Sequence, residues 1–274
     1  MNKKKVFPGG YDILLAEDDK INQVVVTGYI KNLNLGRVEI VENGKEAVKM
    51  FCSHRFDFIL MDGEMPEMNG IDATLKIRAI EKDKNLLRTP IIALTAHSTA
   101  EDRADFLKSG MDEFLKKPLS PEALTKAVQN VVRKRVNHVK SGEEIEEKTP
   151  PGDGPHLEGH IDLQELKRIM RSKKSLLENC FQVFESTYPA LIVKITTCIE
   201  KNEYDELKNN AHRLKGMLKY LAAHNAATLA GQLESMGVSR STTISSADIT
   251  VQTLSDECLK ITDCIKQVLE GDFS

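Results

Sequence analysis

Short apolar runs alternate with longer amphipathic segments over residues 12 to 133, and then the alternation stops. "DILLAE" (12–17), "RVEIVE" (37–42), "FDFILMD" (56–62), "PIIALTA" (90–96) and "DEFLK" (112–116) predict five strands, most of them apolar enough to be covered on both faces. Between them "NGKEAVKMF", "GIDATLKIRAI", "TAEDRADFLKSG" and "SPEALTKAVQNVV" carry the spacing of amphipathic helices, with Gly36 and Gly110 read as helix ends and Ser120-Pro121 as an N-cap followed by the first helical residue. Repeated β-α units of this kind predict an α/β doubly wound parallel sheet of five strands, with its sites at the carboxyl ends of the strands.

The second half follows another rule. Residues 136–160, including "SGEEIEEKTPPGDGPHLEGH", offer almost nothing to bury and read as a flexible linker. Beyond it only helical periodicity remains: Leu177, Phe181 and Phe184; Ile192, Ile195 and Ile199; Leu254, Cys258, Ile261, Ile265 and Leu269. An all-α up-and-down bundle over 161–271 is predicted, with 237–248 as a polar loop before its last helix. At 274 residues the chain is long enough for two such domains, the first over 11–135.

Net charge −3 supplies no whole-chain attraction to nucleic acid or to an anionic membrane, and neither is expected as a partner. Five cysteines without CxxC spacing suit free thiols buried as small apolar residues in a reducing compartment. The start of the chain lacks an apolar signal core and no stretch approaches the roughly 20 apolar residues of a membrane span, so a cytoplasmic location is expected.

In the first domain the acidic residues fall where strands end. Glu17, Asp18 and Asp19 follow the first strand and Asp62 closes the third, so the fold gathers carboxylates at one sheet edge, where they suit Mg²⁺. Thr95 and Lys117, a hydroxyl and an ammonium at the ends of the fourth and fifth strands, are candidates to bind phosphoryl oxygens. The competing reading makes these residues ordinary turns and surface groups.

Four segments, "ILLAEDD", "LMDGEMPEMNG", "ALTA" and "FLKKP", occur in order over essentially the whole first domain, which resembles a response-regulator receiver domain. The resemblance implies that Asp62 is the phosphoacceptor and that Asp18, Asp62 and the backbone carbonyl of Glu64 ligate Mg²⁺, with Glu17 contributing directly or through water. It identifies Lys117 rather than Lys116 as the family's lysine, before a cis Lys117-Pro118 bond. It also implies a switch in which the Thr95 hydroxyl moves to the phosphoryl group and Phe114, which lacks a hydroxyl, turns its ring inward. Glu17 stands where aspartate is more usual, and His97 and Glu64 flank the site.

In "NNAHRLKGML" (209–218), a turn of about 100° per residue places Leu207, Ala211, Leu214, Leu218 and Leu221 in one buried stripe. His212 lies roughly 140° from the start of that stripe and is predicted to face solvent. Lys208, Lys215, Gly216 and Lys219 are its neighbours. A nucleophilic imidazole that exchanges a phosphoryl group needs access, positive charge and room, which exposure, Lys215 with Lys219, and Gly216 would supply. The competing reading is a lysine-rich helix face with one glycine.

"AHRLKGMLKYLAA" resembles the motif of histidine-containing phosphotransfer domains, although Met217 and Ala222 stand where small residues and glycine are commoner. A kinase histidine box fits less well, because Arg213 stands where an acidic base usually follows the histidine and only about 60 residues remain for a nucleotide-binding domain. The two resemblances together predict a phosphorelay protein that takes a phosphoryl group from a sensor histidine kinase on Asp62 and passes it through His212 to a downstream response regulator. A linker of about 25 residues has a root-mean-square span on the order of 25 to 30 Å, enough for Asp62 to approach His212. Three further readings stay open: the C-terminal part of a hybrid sensor kinase, a non-catalytic interaction switch or phosphate sink, and a receiver-mediated homodimer.

Overall fold

A computed structural model of the chain describes residues 10–96, 100–136, 160–240, 244–271 and 273. It divides near residue 151 into two compact units. Residues 137–159 of the predicted linker, and His97, lie outside the described residues. Among the described residues no helix is long and apolar enough to cross a membrane.

The first unit runs β1 (Tyr11–Ala16), α1 (Lys20–Asn32), β2 (Gly36–Val41), α2 (Gly44–Ser53), β3 (Phe58–Asp62), α3 (Gly70–Asp83), β4 (Ile91–Thr95), α4 (Ala100–Ser109), β5 (Glu113–Lys116) and α5 (Pro121–Val136). Its five strands pair in parallel in the order β2-β1-β3-β4-β5. All of β3 and β4 is buried, as continuous apolar runs between two helical layers must be. At the edge, β2 departs from the expectation of double cover and exposes most of its residues.

Helix starts are fixed by short polar side chains. Asp19, Asn43, Asn69 and Ser120 each accept a backbone N–H three residues on, at 2.9, 2.9, 2.8 and 3.1 Å. Gly110 ends α4 with φ 97°, as the sequence predicts. Gly36, read from the sequence as a helix end, instead opens β2 with φ 148°, where a Cβ would meet the Tyr11 carbonyl at 2.0 Å. Close approach of β1, not helix termination, requires the glycine.

One buried cation ties the amino-terminal end of the sheet to α3. The Arg78 guanidinium donates to Glu81 at 2.7 Å, to Asp112 at 2.9 Å and to the carbonyls of Thr89 and Gly110, both at 2.9 Å. Its side chain is 13% exposed and that of Glu81 6%, so loss of the guanidinium leaves the Glu81 carboxylate charged where water hardly reaches it. Arg78→Met is expected to cost about 3–5 kcal/mol, read as an earlier midpoint for the first unit in urea. An unchanged midpoint would show the network to be idle.

The second unit holds α6 (Leu163–Met170), α7 (Lys174–Lys201), α8 (Tyr204–Tyr220), α9 (His224–Ser239) and α10 (Ile244–Glu270). The four long helices close a ring, α7 and α9 each lying between α8 and α10, with the short α6 against α7. Their apolar stripes meet inside: Leu177, Phe184, Ile195, Leu214, Leu233 and Ile261 are buried. Of the predicted core positions, Ile192 and Leu269 are only half-buried. The predicted loop 237–248 is shorter than expected, because α9 continues to Ser239 and α10 begins at Ile244. Gly237 is buried where its Cβ would meet the Lys208 backbone nitrogen at 2.7 Å, so it serves helix packing rather than a turn. Ala222 is buried in the α8–α9 turn with φ 53°, a backbone conformation that favours the commoner glycine. Cys180, Cys198 and Cys258 are buried as expected, Cys264 is half-buried, and Cys52 is exposed.

Candidate functional site

The parallel register assembles the first site. Ala16, Asp62 and Thr95 end β1, β3 and β4, and Lys117 follows β5, so four chain segments deliver their next side chains to one edge of the sheet. Glu17, Asp62, Thr95 and Lys117 are all buried. Lys116, one residue earlier, is exposed, and the Lys117–Pro118 bond is cis. The Lys117 ammonium lies 2.8 Å from Asp62 Oδ2 and 2.7 Å from Glu17 Oε2.

Two buried carboxylates therefore share one cation. Burial, reinforced by the Glu17 charge, pushes the Asp62 carboxyl up to about 7 against the pull of Lys117. Burial likewise raises Glu17, although Lys117 and an Asn22 amide bond of 2.7 Å oppose it. For Lys117 burial works the other way, but Asp62 and Glu17 outweigh it and raise its pKa. Gln23 completes the frame by donating to the Glu17 carbonyl at 2.6 Å.

The surplus negative charge fits a hard divalent cation. One carboxylate oxygen each from Glu17, Asp18 and Asp62 lie within 4.8 Å of one another, an all-oxygen set suited to Mg²⁺. Glu64 is exposed, with a long 3.4 Å approach of its N–H to Asp62 Oδ1. Gly70 lets α3 start against β3, since a Cβ there would meet the Asp62 carbonyl oxygen at 2.1 Å. Phe114 is half-buried on β5, with the Arg103 guanidinium 4.5 Å above its ring.

The second site corrects the helical wheel. Ala211, Leu214 and Leu218 are buried as predicted, yet the His212 side chain is only 20% exposed rather than turned to solvent. Its Nδ1 lies 2.6 Å from Glu234 Oε1, and Lys215 pairs with the other oxygen of the same carboxylate. A wheel drawn on one helix sees only one partner face; α8 packs on both α7 and α9, and the second contact half-covers His212. Lys219 is half-buried, and a Cβ added at Gly216 would meet nothing within 4 Å among the described residues, so that side of the helix is open.

Glu234 is the functional candidate that sequence reasoning missed. Burial opposes its ionisation, but the bonds from His212 and Lys215 outweigh burial and hold its carboxyl down at about 2. An ionised carboxylate can only accept, so the Nδ1 of His212 must be the donor and a neutral ring carries its lone pair on Nε2. The available signal was a glutamate inside an apolar helix face: Ala230, Leu233 and Gly237, all buried, surround it at helical spacing. Asn22 and Gln23 were missed in the same way, as amides at the buried start of α1.

Comparison with known proteins agrees with this division. Residues 13–129 match the family described as "Response regulator receiver domain", and residues 180–271 match the "Hpt domain". The sensor protein GacS of Pseudomonas syringae pv. syringae is 30% identical over 213 residues, covering 76% of this chain and 22% of GacS. The aerobic respiration control sensor protein ArcB of Escherichia coli K12 is 26% identical over 226 residues, covering 82% of this chain and 28% of ArcB. The chain thus spans about a quarter of the length of these relatives. Among solved structures, the receiver domain of the sensor histidine kinase PA1611 of Pseudomonas aeruginosa, described with a magnesium ion coordinated in its active-site cleft, is 38% identical, covers 46% of this chain and 99% of its own, and superposes with a TM-score of 0.42.

Proposed function

The chain belongs to the two-component phosphorelay proteins, joining a response regulator receiver domain to an Hpt domain as the C-terminal part of hybrid sensor kinases does, and on that premise we propose that Asp62 and His212 are its two phosphoryl carriers. The observation that carries the proposal is the pair of opposite proton arrangements: a buried carboxylate beside a lysine in one domain, and an imidazole tied through Nδ1 to an ionised glutamate in the other.

In the first step Asp62 attacks the phosphorus of a phosphohistidine on a partner kinase. A P–O bond forms, the P–N bond breaks, and the partner's imidazole leaves with its electron pair. Lys117 neutralises charge on the transferred oxygens, and the Thr95 hydroxyl, buried at the end of β4, bonds one of them once the group has arrived. Asp18, Asp62, Glu17 and the Glu64 carbonyl would hold Mg²⁺, which supplies further neutralisation of the phosphoryl oxygens when bound. Phe114 follows Thr95 by turning inward, which requires its ring to leave Arg103.

In the second step Nε2 of His212 attacks the phosphorus of an aspartyl phosphate, forming P–N and returning the carboxylate. Because Nδ1 keeps its proton, the phosphorylated ring becomes cationic and Glu234 faces that charge. Lys215 and Lys219 attract the phosphoryl group, and the open side at Gly216 admits the acidic site of another receiver. The downstream partner is a response regulator aspartate.

The test uses chemical stability of the label. Incubation with a phosphorylated histidine kinase and Mg²⁺ is expected to leave an alkali-labile acyl phosphate on Asp62 and an acid-labile imidazole phosphate on His212. A label of only one type in every mixture would overturn the two-carrier reading.

Glu234→Ala is expected to slow transfer through His212 by about 10- to 100-fold, with Glu234→Gln restoring most of the rate because its amide oxygen still accepts from Nδ1. Single-turnover rates from about pH 6 to about pH 9 check this: loss of the acceptor should displace the pH profile, whereas a merely structural glutamate would leave its shape unchanged.

A further inference from the structure

A third set of donor atoms meets in the second domain, made of residues other than the His212–Glu234–Lys215 group. Asp162 caps α6, Glu165 stands in the first turn of that helix, and His224 is the first residue of α9. One carboxylate oxygen from each acid and one ring nitrogen of His224 lie within 4.8 Å of one another. His224 Nε2 and Glu165 Oε2 are 2.7 Å apart.

The arrangement departs from ordinary helix capping. In a capping box the glutamate at the third position folds back onto the N–H of the capping residue. Here the Asp162 N–H donates to the Ala222 carbonyl at 2.9 Å, so the Glu165 carboxylate turns instead to His224. Asp162 gives one oxygen to the Glu165 N–H at 3.0 Å, and its other oxygen has no hydrogen bond to a described residue. The Asp162–Ala222 bond also fixes the start of α6 against the α8–α9 turn, so donors far apart in the chain are held together by backbone.

We propose that Asp162, Glu165 and His224 bind a divalent cation of the zinc class: Zn²⁺, Co²⁺ or Ni²⁺. An imidazole nitrogen with two carboxylate oxygens is a donor set for these ions, whereas Mg²⁺ prefers oxygen alone, which separates this site from that of the first domain. Tetrahedral ligation at about 2.1 Å places donors about 3.4 Å apart, so the His224–Glu165 pair opens slightly and Asp162 closes. All three side chains are at least partly exposed and can make that adjustment. Charge favours the cation too: among the described residues the two carboxylates face one guanidinium, Arg168, which reaches Glu165 Oε1 at 3.4 Å. A bound ion would tie the first turn of α6 to the turn that follows the histidine helix. The proposal does not depend on phosphoryl transfer.

The test is a metal titration of the full chain in saturating Mg²⁺, with Cys52→Ser throughout to remove the exposed thiol. Zn²⁺ uptake is measured by calorimetry and Co²⁺ uptake by visible absorption. The parent is expected to bind one equivalent more than His224→Gln, and Glu165→Gln to bind that equivalent at least tenfold more weakly. Equal stoichiometry and affinity in parent and His224→Gln would overturn the site. Nitrogen-15 signals of the His224 ring in the parent give a readout that needs no substitution at the site: they must shift with the first equivalent of Zn²⁺, and their constancy would overturn it as well.

Discussion

Asp62→Asn is expected to abolish acyl-phosphate labelling, by at least about a thousandfold, and at the same time to make the first domain more stable at about pH 8. The two effects have one origin. The proposed nucleophile is a carboxylate buried beside a second carboxylate, with Lys117 bridging them, so the protein holds a charge that burial resists. Its folded pKa of about 7 lies above the ordinary value of 3.8, which means that the folded state binds the proton more tightly than the unfolded chain. Stability from this group is therefore fully present below pH 3.8 and is lost as the pH rises through about 7. An amide carries no charge at any pH, so the Asp62→Asn variant should melt at a higher temperature than the parent at about pH 8 and differ little from it at about pH 5. Each kcal/mol recovered in a domain of this size is worth about 4 °C. Mg²⁺ should raise the melting temperature of the parent at the higher pH far more than that of the variant. Calorimetry at the two pH values decides the matter; a variant that melts below the parent at the higher pH would show that Lys117 needs both carboxylates.

The second large effect is expected at His212. His212→Gln should leave labelling of Asp62 intact and stop delivery to every downstream receiver, again by at least about a thousandfold, because an amide nitrogen offers no lone pair to phosphorus. Glutamine is the informative choice because its amide N–H can still donate to Glu234, so the ionised carboxylate keeps two partners and the bundle keeps its melting temperature. Delivery at the parental rate would remove His212 from the relay. Low pH separates the two domains further: the depressed Glu234 carboxyl stabilises the bundle above pH 4.5 and loses that contribution as the pH falls toward about 2, the opposite direction to Asp62.

The architecture was legible in the sequence where burial is two-sided. Strands β3 and β4 are covered by helices on both faces and stand as unbroken apolar runs, and the acid that ends β3 stands out by contrast. The apolar stripe of α8 was legible for the same reason. What stayed hidden lies in contacts between elements. The wheel turned His212 toward solvent because its own helix says nothing about α9, and Glu234 reads as an ordinary surface acid because a single polar residue on a small-residue face has no period of its own. Gly36 was misplaced because a close approach of β1 and a helix end both ask for the same residue. The choice of Lys117 over Lys116 came from resemblance to a family and not from periodicity.

The division of labour among the strands has a consequence for the order of events during synthesis. The proposed nucleophile lies on β3, its buried carboxylate neighbour follows β1, and the lysine that pairs with both follows β5, the far edge of the sheet. A nascent chain that ends before β5 lacks Lys117, so it has the proposed acceptor without the cation that steadies the incoming group. On the proposed mechanism, phosphoryl acceptance therefore waits for the last strand to be made and paired.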